Sequence, residues 1–240
     1  MTFNDLDLAE RLDIAREGTA YFAQKLAELS DEEMSGPSLL DGWTRKHLVG
    51  HVGYNAAALC RLLDWAATGV ETPMYESVEQ RGREIDEGAT LSAGSVRNLF
   101  VERAAQLDEK WRALPDAAWD AEVRTAQGRT VPASETAWMR NREVWIHAVD
   151  LGNGGRFEDF PDVVLGSLLY DIVGMWRRKG EGSGLVLEVD DRRFVVVEDG
   201  PPVTDMVAGP PAPWCAWCGA SGRGASGLTA GSELQPPRWL

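Results

Sequence analysis

Leu8, Leu12, Ala15, Thr19, Phe22, Leu26 and Leu29 recur at steps of three and four, which predicts a long amphipathic first helix ending near Ser30 to Met34. That face needs partners. Ser35 to Gly42 is a turn-rich link, after which Thr44 can cap a second helix through Leu48, Val52, Leu59, Leu62, Leu63 and Ala66 towards Gly69. A third strong pattern follows Leu91, with Val96, Leu99, Phe100, Ala104, Leu107, Trp111 and Leu114 on one face until Pro115 stops it. Glu71 to Thr90 is ambiguous, charged and punctuated by glycine, and is compatible with a short helix with loops. Trp119 to Thr130 predicts a loop or short hairpin around Gln127 and Gly128, with Pro132 in the first turn of the next helix. That next helix carries Arg140 to Asp150.

Beyond the Gly152 to Gly155 link the pattern changes. A fifth helix is expected from Asp162 to Arg178, then a hairpin of Leu185 to Asp190 and Phe194 to Glu198 turning at Asp191 to Arg193. The tail from Val207 is rich in Gly, Pro, Ala and Ser around Trp214 and Trp217, so irregular backbone is expected there. The fold class is therefore mainly α: a four-helix bundle over residues 1–160, followed by a small α+β domain over residues 161–240. No internal repeat is evident.

Composition narrows the function. The chain has 240 residues, 44% of them hydrophobic, which is enough to bury a proper core. A net charge of −14 argues against a surface that tracks phosphates, so no nucleic-acid partner is expected. There is no signal-like N-terminus and no apolar run of membrane-spanning length, so a cytoplasmic protein with no membrane partner is expected. Cys60, Cys215 and Cys218 are too few for a secreted disulfide framework, which fits a reducing compartment.

The candidate chemistry lies where polar side chains interrupt apolar helices. Glu143 and His147, four apart, share one helix face with Cβ atoms about 5 to 6 Å apart, and Asp150 falls on the same stripe one turn further. On the second helix a polar row of Thr44, His47, His51 and Asn55 runs beside an apolar one, which is costly to bury unless something satisfies it. The chain has three histidines, and all of them lie on these two helices. Two imidazoles and a carboxylate make the donor set of catalytic zinc sites, which leave a fourth position open. An isolated Glu-x-x-x-His pair is also a common surface ion pair, so spacing alone leaves both readings standing.

The run Gly42-Trp43-Thr44-Arg45 leading to His51, followed by Arg142-Glu143-Val144-Trp145-Ile146-His147 and Asp150, resembles the mycothiol-dependent maleylpyruvate isomerase family of the DinB-like metalloenzyme superfamily. The resemblance covers the whole chain and implies a zinc-binding DinB-like four-helix bundle with a small α+β C-terminal domain. It implies His51, Glu143 and His147 as ligands of one Zn2+ per chain, with Asp150 orienting a ligand from behind. Mycothiol would serve as thiol cosubstrate. Ser221-Gly222-Arg223 is similar to the family's C-terminal signature, which makes Arg223 the catalytic-site cation expected to receive the dianionic substrate. His47 departs from the family pattern and is a candidate substrate-side catalytic helper. The implied activity is conversion of maleylpyruvate to fumarylpyruvate by reversible thiolate addition, in a monomer or weak oligomer.

Other features carry blander readings. Cys215-Ala-Trp-Cys218 lacks a second cysteine pair, a neighbouring histidine or a thioredoxin-like context, so a structural role is expected. The tail glycines do not have phosphate-loop spacing. Trp138 and Trp145 are expected in the bundle core, and Arg142 in a salt bridge or supporting contact. Two rivals remain: mycothiol-dependent S-transfer or dehalogenation on the same bundle, and a non-catalytic zinc-binding regulatory module. The second lacks the histidine that should precede the Cys-x-x-Cys pair.

Overall fold

The computed structural model describes residues 2–190, 192–195 and 205–219. The chain divides into two compact units, Leu6–Gly155 and the combination of Met1–Asp5 with Arg156–Leu240. The expected boundary near residue 160 thus falls at 155, and the N-terminal segment goes with the second unit.

The first unit is helical because four of its five α-helix starts are capped by side chains and its apolar stripes meet. Helix α1 (Leu8–Ala27) begins with a reciprocal cap in which Asp7 accepts from the Glu10 amide and Glu10 accepts from the Asp7 amide. It ends a few residues before the expected Ser30 to Met34, and a 3-10 turn over Glu33–Ser35 follows. Helix α2 (Arg45–Thr68) is closed by Gly69, whose φ of 73° lets its amide return to the Trp65 carbonyl. Helices α4 (Ala93–Ala113) and α5 (Glu135–Asp150) complete the bundle, α2 packing on α4 and α5, and α1 on α5. Phe22, Leu48, Leu59, Leu62, Phe100 and Leu107 form its interior. Trp138 and Trp145 are buried as expected, Trp145 stacking on Tyr21 at 5.1 Å.

The ambiguous segment resolves into helix α3 (Val78–Thr90), with Ser77 accepting from the Gln80 amide as its N-cap. Of its residues only Ile85 and Gly88 are buried. It lies against α2 because two glycines meet there: a Cβ on either Gly50 or Gly88 would come within 2.9 Å of the other's Cα. Arg61 on α2 adds an ion pair to Glu84 at 3.6 Å.

Between α4 and α5 the expected hairpin forms, β1 (Glu122–Arg124) pairing antiparallel with β2 (Thr130–Pro132). Pro132 ends β2 and does not open the helix. Val123 and Val131 face each other across the hairpin and are both buried, which draws the chain through Pro132 before α5 starts at Glu135.

In the second unit, α6 (Asp162–Lys179) is followed by β3 (Leu185–Val189) and β4 (Arg192–Val195), paired antiparallel from Val186↔Val195 to Val189↔Arg192. The turn is tighter than expected, with Asp190 in the left-handed region at φ 52°. Two expectations for the tail are overturned. Asp205–Gly209 is strand β5, parallel to β3, and Pro211–Gly219 is helix α7, packed on α6. Trp214 is fully buried and its indole donates to the Glu188 carbonyl at 3.3 Å, so this tail residue belongs to the core. Cys215 is buried too, its thiol 3.6 Å from the Leu165 carbonyl, and burial pushes its pKa up. That environment makes the thiol inert, which agrees with the structural role expected for it.

Candidate metal centre

The polar row on α2 has three separate uses. At the helix start Thr44 and His47 form a capping box, the imidazole Nδ1 accepting from the Thr44 amide at 3.1 Å. One turn on, His51 is buried and turned to α5. A further turn on, Asn55 accepts from Arg140 Nη1 at 3.2 Å, and the same nitrogen donates to the Val52 carbonyl at 2.7 Å. Burial lowers the Arg140 pKa to about 10, an uncommon situation for a guanidinium.

On α5, thirteen of the sixteen residues are buried, so its polar side chains must satisfy one another. Glu143 Oε2 lies 3.0 Å from His51 Nε2 and 3.2 Å from His147 Nε2. The three donor atoms lie within 4.8 Å of one another. For zinc–nitrogen bonds of about 2.0–2.1 Å, donors at tetrahedral corners stand roughly 3.3 Å apart. The residues present therefore fit a divalent cation. His147 Nδ1 is 2.8 Å from Asp150 Oδ2, where an orienting carboxylate would stand. The Glu143 side chain is 20% exposed, against 6% for His51, so the cluster opens on the carboxylate side.

The electrostatics are those of a charge-coupled set. Burial alone would raise the Glu143 pKa, but hydrogen bonds from His147 and His51 hold it well below the usual carboxylate range. Burial pushes His51 down, more than its contact with Glu143 can offset. For His147 the order reverses: burial lowers it, yet Asp150 and Glu143 together bring it up to about 9.

Sequence reasoning missed the neighbours of this cluster. Tyr75 and Arg81 both exert or feel its charges: Glu143 helps burial raise the Tyr75 pKa to about 12, and Arg81 adds to the depression of His51. Both lie in the segment read as ambiguous. The available signal was the cap Ser77 with Gln80 three residues on, which sets Arg81, Ile85 and Gly88 on one helical stripe. The structure brings His51, Glu143, His147 and Asp150 together and places His47 at the helix cap, its ring 6.4 Å from that of Trp43, which in turn meets His51 edge-on at 5.5 Å. Ser221, Gly222 and Arg223 lie outside the described residues.

Fold and site together define a helical bundle that presents two imidazoles and a carboxylate from two of its helices. The chain belongs to the mycothiol maleylpyruvate isomerase family, whose N-terminal domain matches residues 15–152. A crystal structure of the mycothiol-dependent maleylpyruvate isomerase is 48% identical over the full length of both chains, with a TM-score of 0.95. A histidine-to-alanine mutant of the mycothiol-dependent maleylpyruvate isomerase gives the same identity, coverage and TM-score. No curated protein matches the chain.

Proposed function

We propose that this chain is a mycothiol-dependent isomerase that converts maleylpyruvate to fumarylpyruvate, with one Zn2+ held by His51, Glu143 and His147. The observation that carries the reading is the full-length 48% identity to an enzyme of that description, together with the convergence of these three side chains.

The substrate has a cis C=C bond conjugated to a ketone. Rotation requires that bond to become single for a moment. The mycothiol thiolate forms a C–S bond at the alkene carbon β to the ketone, and the π electrons move to the ketone oxygen. Rotation about the new single bond follows. The electrons then return, the C–S bond breaks, and the thiolate leaves behind the trans alkene with no net proton transfer. A bound divalent cation would supply Lewis acidity, stabilising negative charge on sulfur or oxygen near the cluster. Asp150 holds His147 in one tautomer and orientation, keeping Nε2 free to face the cation.

Arg223 is assigned to a substrate carboxylate on the strength of the Ser221-Gly222-Arg223 signature, since a guanidinium fork matches that group. His47 is assigned a lesser, substrate-side part beyond its cap. We place the enzyme in the cytoplasm as a monomer or weak oligomer; no helix among the described residues is long and apolar enough to cross a membrane. The test is direct. Purified protein with mycothiol should convert maleylpyruvate to fumarylpyruvate, and chelator should abolish this until Zn2+ is restored. Absence of isomerisation alongside S-conjugation of electrophilic alkylating agents would overturn the reading in favour of a transferase.

A further inference from the structure

A cavity of about 250 Å³ is walled by Trp65, Tyr75, Ser77, Arg81, Arg124 and Thr125 among others, and two of these, Arg81 and Tyr75, are close enough to His51 and Glu143 to couple to their charges. Its volume is just below the range of about 300–1,000 Å³ typical of ligand pockets, which suits a compact acid better than a thiol carrying two sugar-like rings. The wall is unusually cationic for a chain of net charge −14. Arg124 is 3.6 Å from Glu71, so its charge is partly answered. Arg81 differs. It is half-buried on the α3 stripe that carries Ile85 and Gly88, and it makes no ion pair or side-chain hydrogen bond with any described residue. Its guanidinium nitrogens are not sealed from water, and a planar fork of donors without a protein partner is open to a carboxylate.

Tyr75 shares the cavity. The Arg61 guanidinium lies over its ring at 5.7 Å, while Arg61 Nε donates to the adjacent Met74 carbonyl at 2.8 Å, which fixes the phenol against α2. Half-buried and near the Glu143 charge, the phenol keeps its proton at neutral pH and is available as a donor. A cation and a phenol donor line one small cavity, and both lie near enough to the cluster for charge to act between Arg81 and His51 and between Tyr75 and Glu143. Mycothiol carries no carboxylate, whereas the isomerase substrate carries one at each end.

We propose that Arg81, with Tyr75 beside it, receives one terminal carboxylate of the dicarboxylate substrate and so sets the enzyme's preference for an acid. The inference rests on the isomerase reading and deepens it. Arg81 is a specificity-determining residue of the cavity and takes no part in bond making.

The experiment compares wild type with Arg81→Gln, Arg81→Lys and Arg81→Met, each checked for metal content and helicity. Loss of a charge-assisted hydrogen bond should raise KM for maleylpyruvate by about tenfold or more in the Gln and Met variants. The Lys variant should fall between, and KM for mycothiol should stay within about twofold of wild type. Calorimetric binding of succinylpyruvate, the saturated analogue that cannot isomerise, supplies a readout independent of turnover. It should weaken in parallel. If wild type fails to isomerise maleylpyruvate, the functional reading falls, but the calorimetry still answers for Arg81. Equal succinylpyruvate affinity in wild type and Arg81→Gln, or an unchanged KM for maleylpyruvate with metal retained, overturns the assignment.

Discussion

Two histidines face the same carboxylate from different helices, and the protein treats them oppositely. His51, from α2, has Glu143 as its only carboxylate neighbour among the described residues, and burial drives its pKa down. His147, from α5, stands between Glu143 and Asp150, and burial is outweighed so that its pKa rises to about 9. One extra carboxylate, 2.8 Å behind the ring, makes the difference. Without metal, α5 holds a charged, oriented imidazolium while α2 holds a neutral ring. A cation entering the cluster must therefore displace a proton from the α5 side and none from the α2 side.

The comparison breaks most completely if a ligand is removed. His51→Ala and His147→Ala should each lose nearly all bound metal, more than the about 10–100-fold expected when an outer partner is lost. Metal analysis after dialysis checks this. The converse pattern, with zinc retained in His51→Ala and lost in His47→Ala, would exchange the roles of the two α2 histidines.

Removing the asymmetry itself should have the next largest effect. Asp150→Asn keeps an oxygen acceptor but discards the charge, so metal affinity should fall about 10–100-fold. In the metal-free protein the His147 pKa, followed by NMR, should drop from about 9 towards its ordinary 6.5. Unchanged titration would show that Glu143 alone sets it.

The pH dependence follows from the same shifts. His147, raised in the fold, contributes stability that is fully present below 6.5 and is lost as pH rises through about 9. His51, lowered in the fold, contributes stability that is present above 6.5 and is lost as pH falls below it. Metal-free protein should thus melt at its highest temperature near pH 6.5 as far as these two groups decide. Metal affinity should rise about tenfold per pH unit between 6.5 and 9, since binding releases the His147 proton, then flatten. Calorimetry in buffers of different ionisation enthalpy would count that proton.

The smallest effect belongs to the third histidine. His47→Ala removes half of a capping box and should cost about 1 kcal/mol of stability while leaving metal content intact. Any loss of turnover beyond that would mark the substrate-side part assigned to it.

The bundle was legible in the sequence because α1, α2 and α4 bury apolar residues at helical spacing, and hydrophobic periodicity reports that arrangement directly. Helix α3 was legible only as a short helix without bounds, for a physical reason. It is held by the contact between Gly50 and Gly88 and by the pair of Arg61 and Glu84, neither of which has an apolar period. Strand β5 depends on parallel pairing with β3, some twenty residues earlier, and no local pattern encodes that partner. At the site, the spacing of Glu143 and His147 set them on one face, but spacing could not choose between His47 and His51 on α2. Position does: His47 stands three residues after Thr44, where its ring closes the cap, and His51 one turn deeper meets Glu143. Tyr75 and Arg81 stayed hidden with the segment that carries them.

If α2 and α5 together hold one divalent cation through His51, Glu143 and His147, isomerisation depends on that ion. X-ray absorption on zinc-reconstituted protein tests this most directly, with turnover assayed on the same samples. The zinc should be bound by two imidazole nitrogens, one carboxylate oxygen and one exchangeable light atom, with a sulfur replacing that atom or joining it when mycothiol is added. The Glu143→Gln variant should lose both this coordination and the conversion of maleylpyruvate. A zinc shell that is unchanged in Glu143→Gln, or full activity in protein stripped of metal, would contradict it.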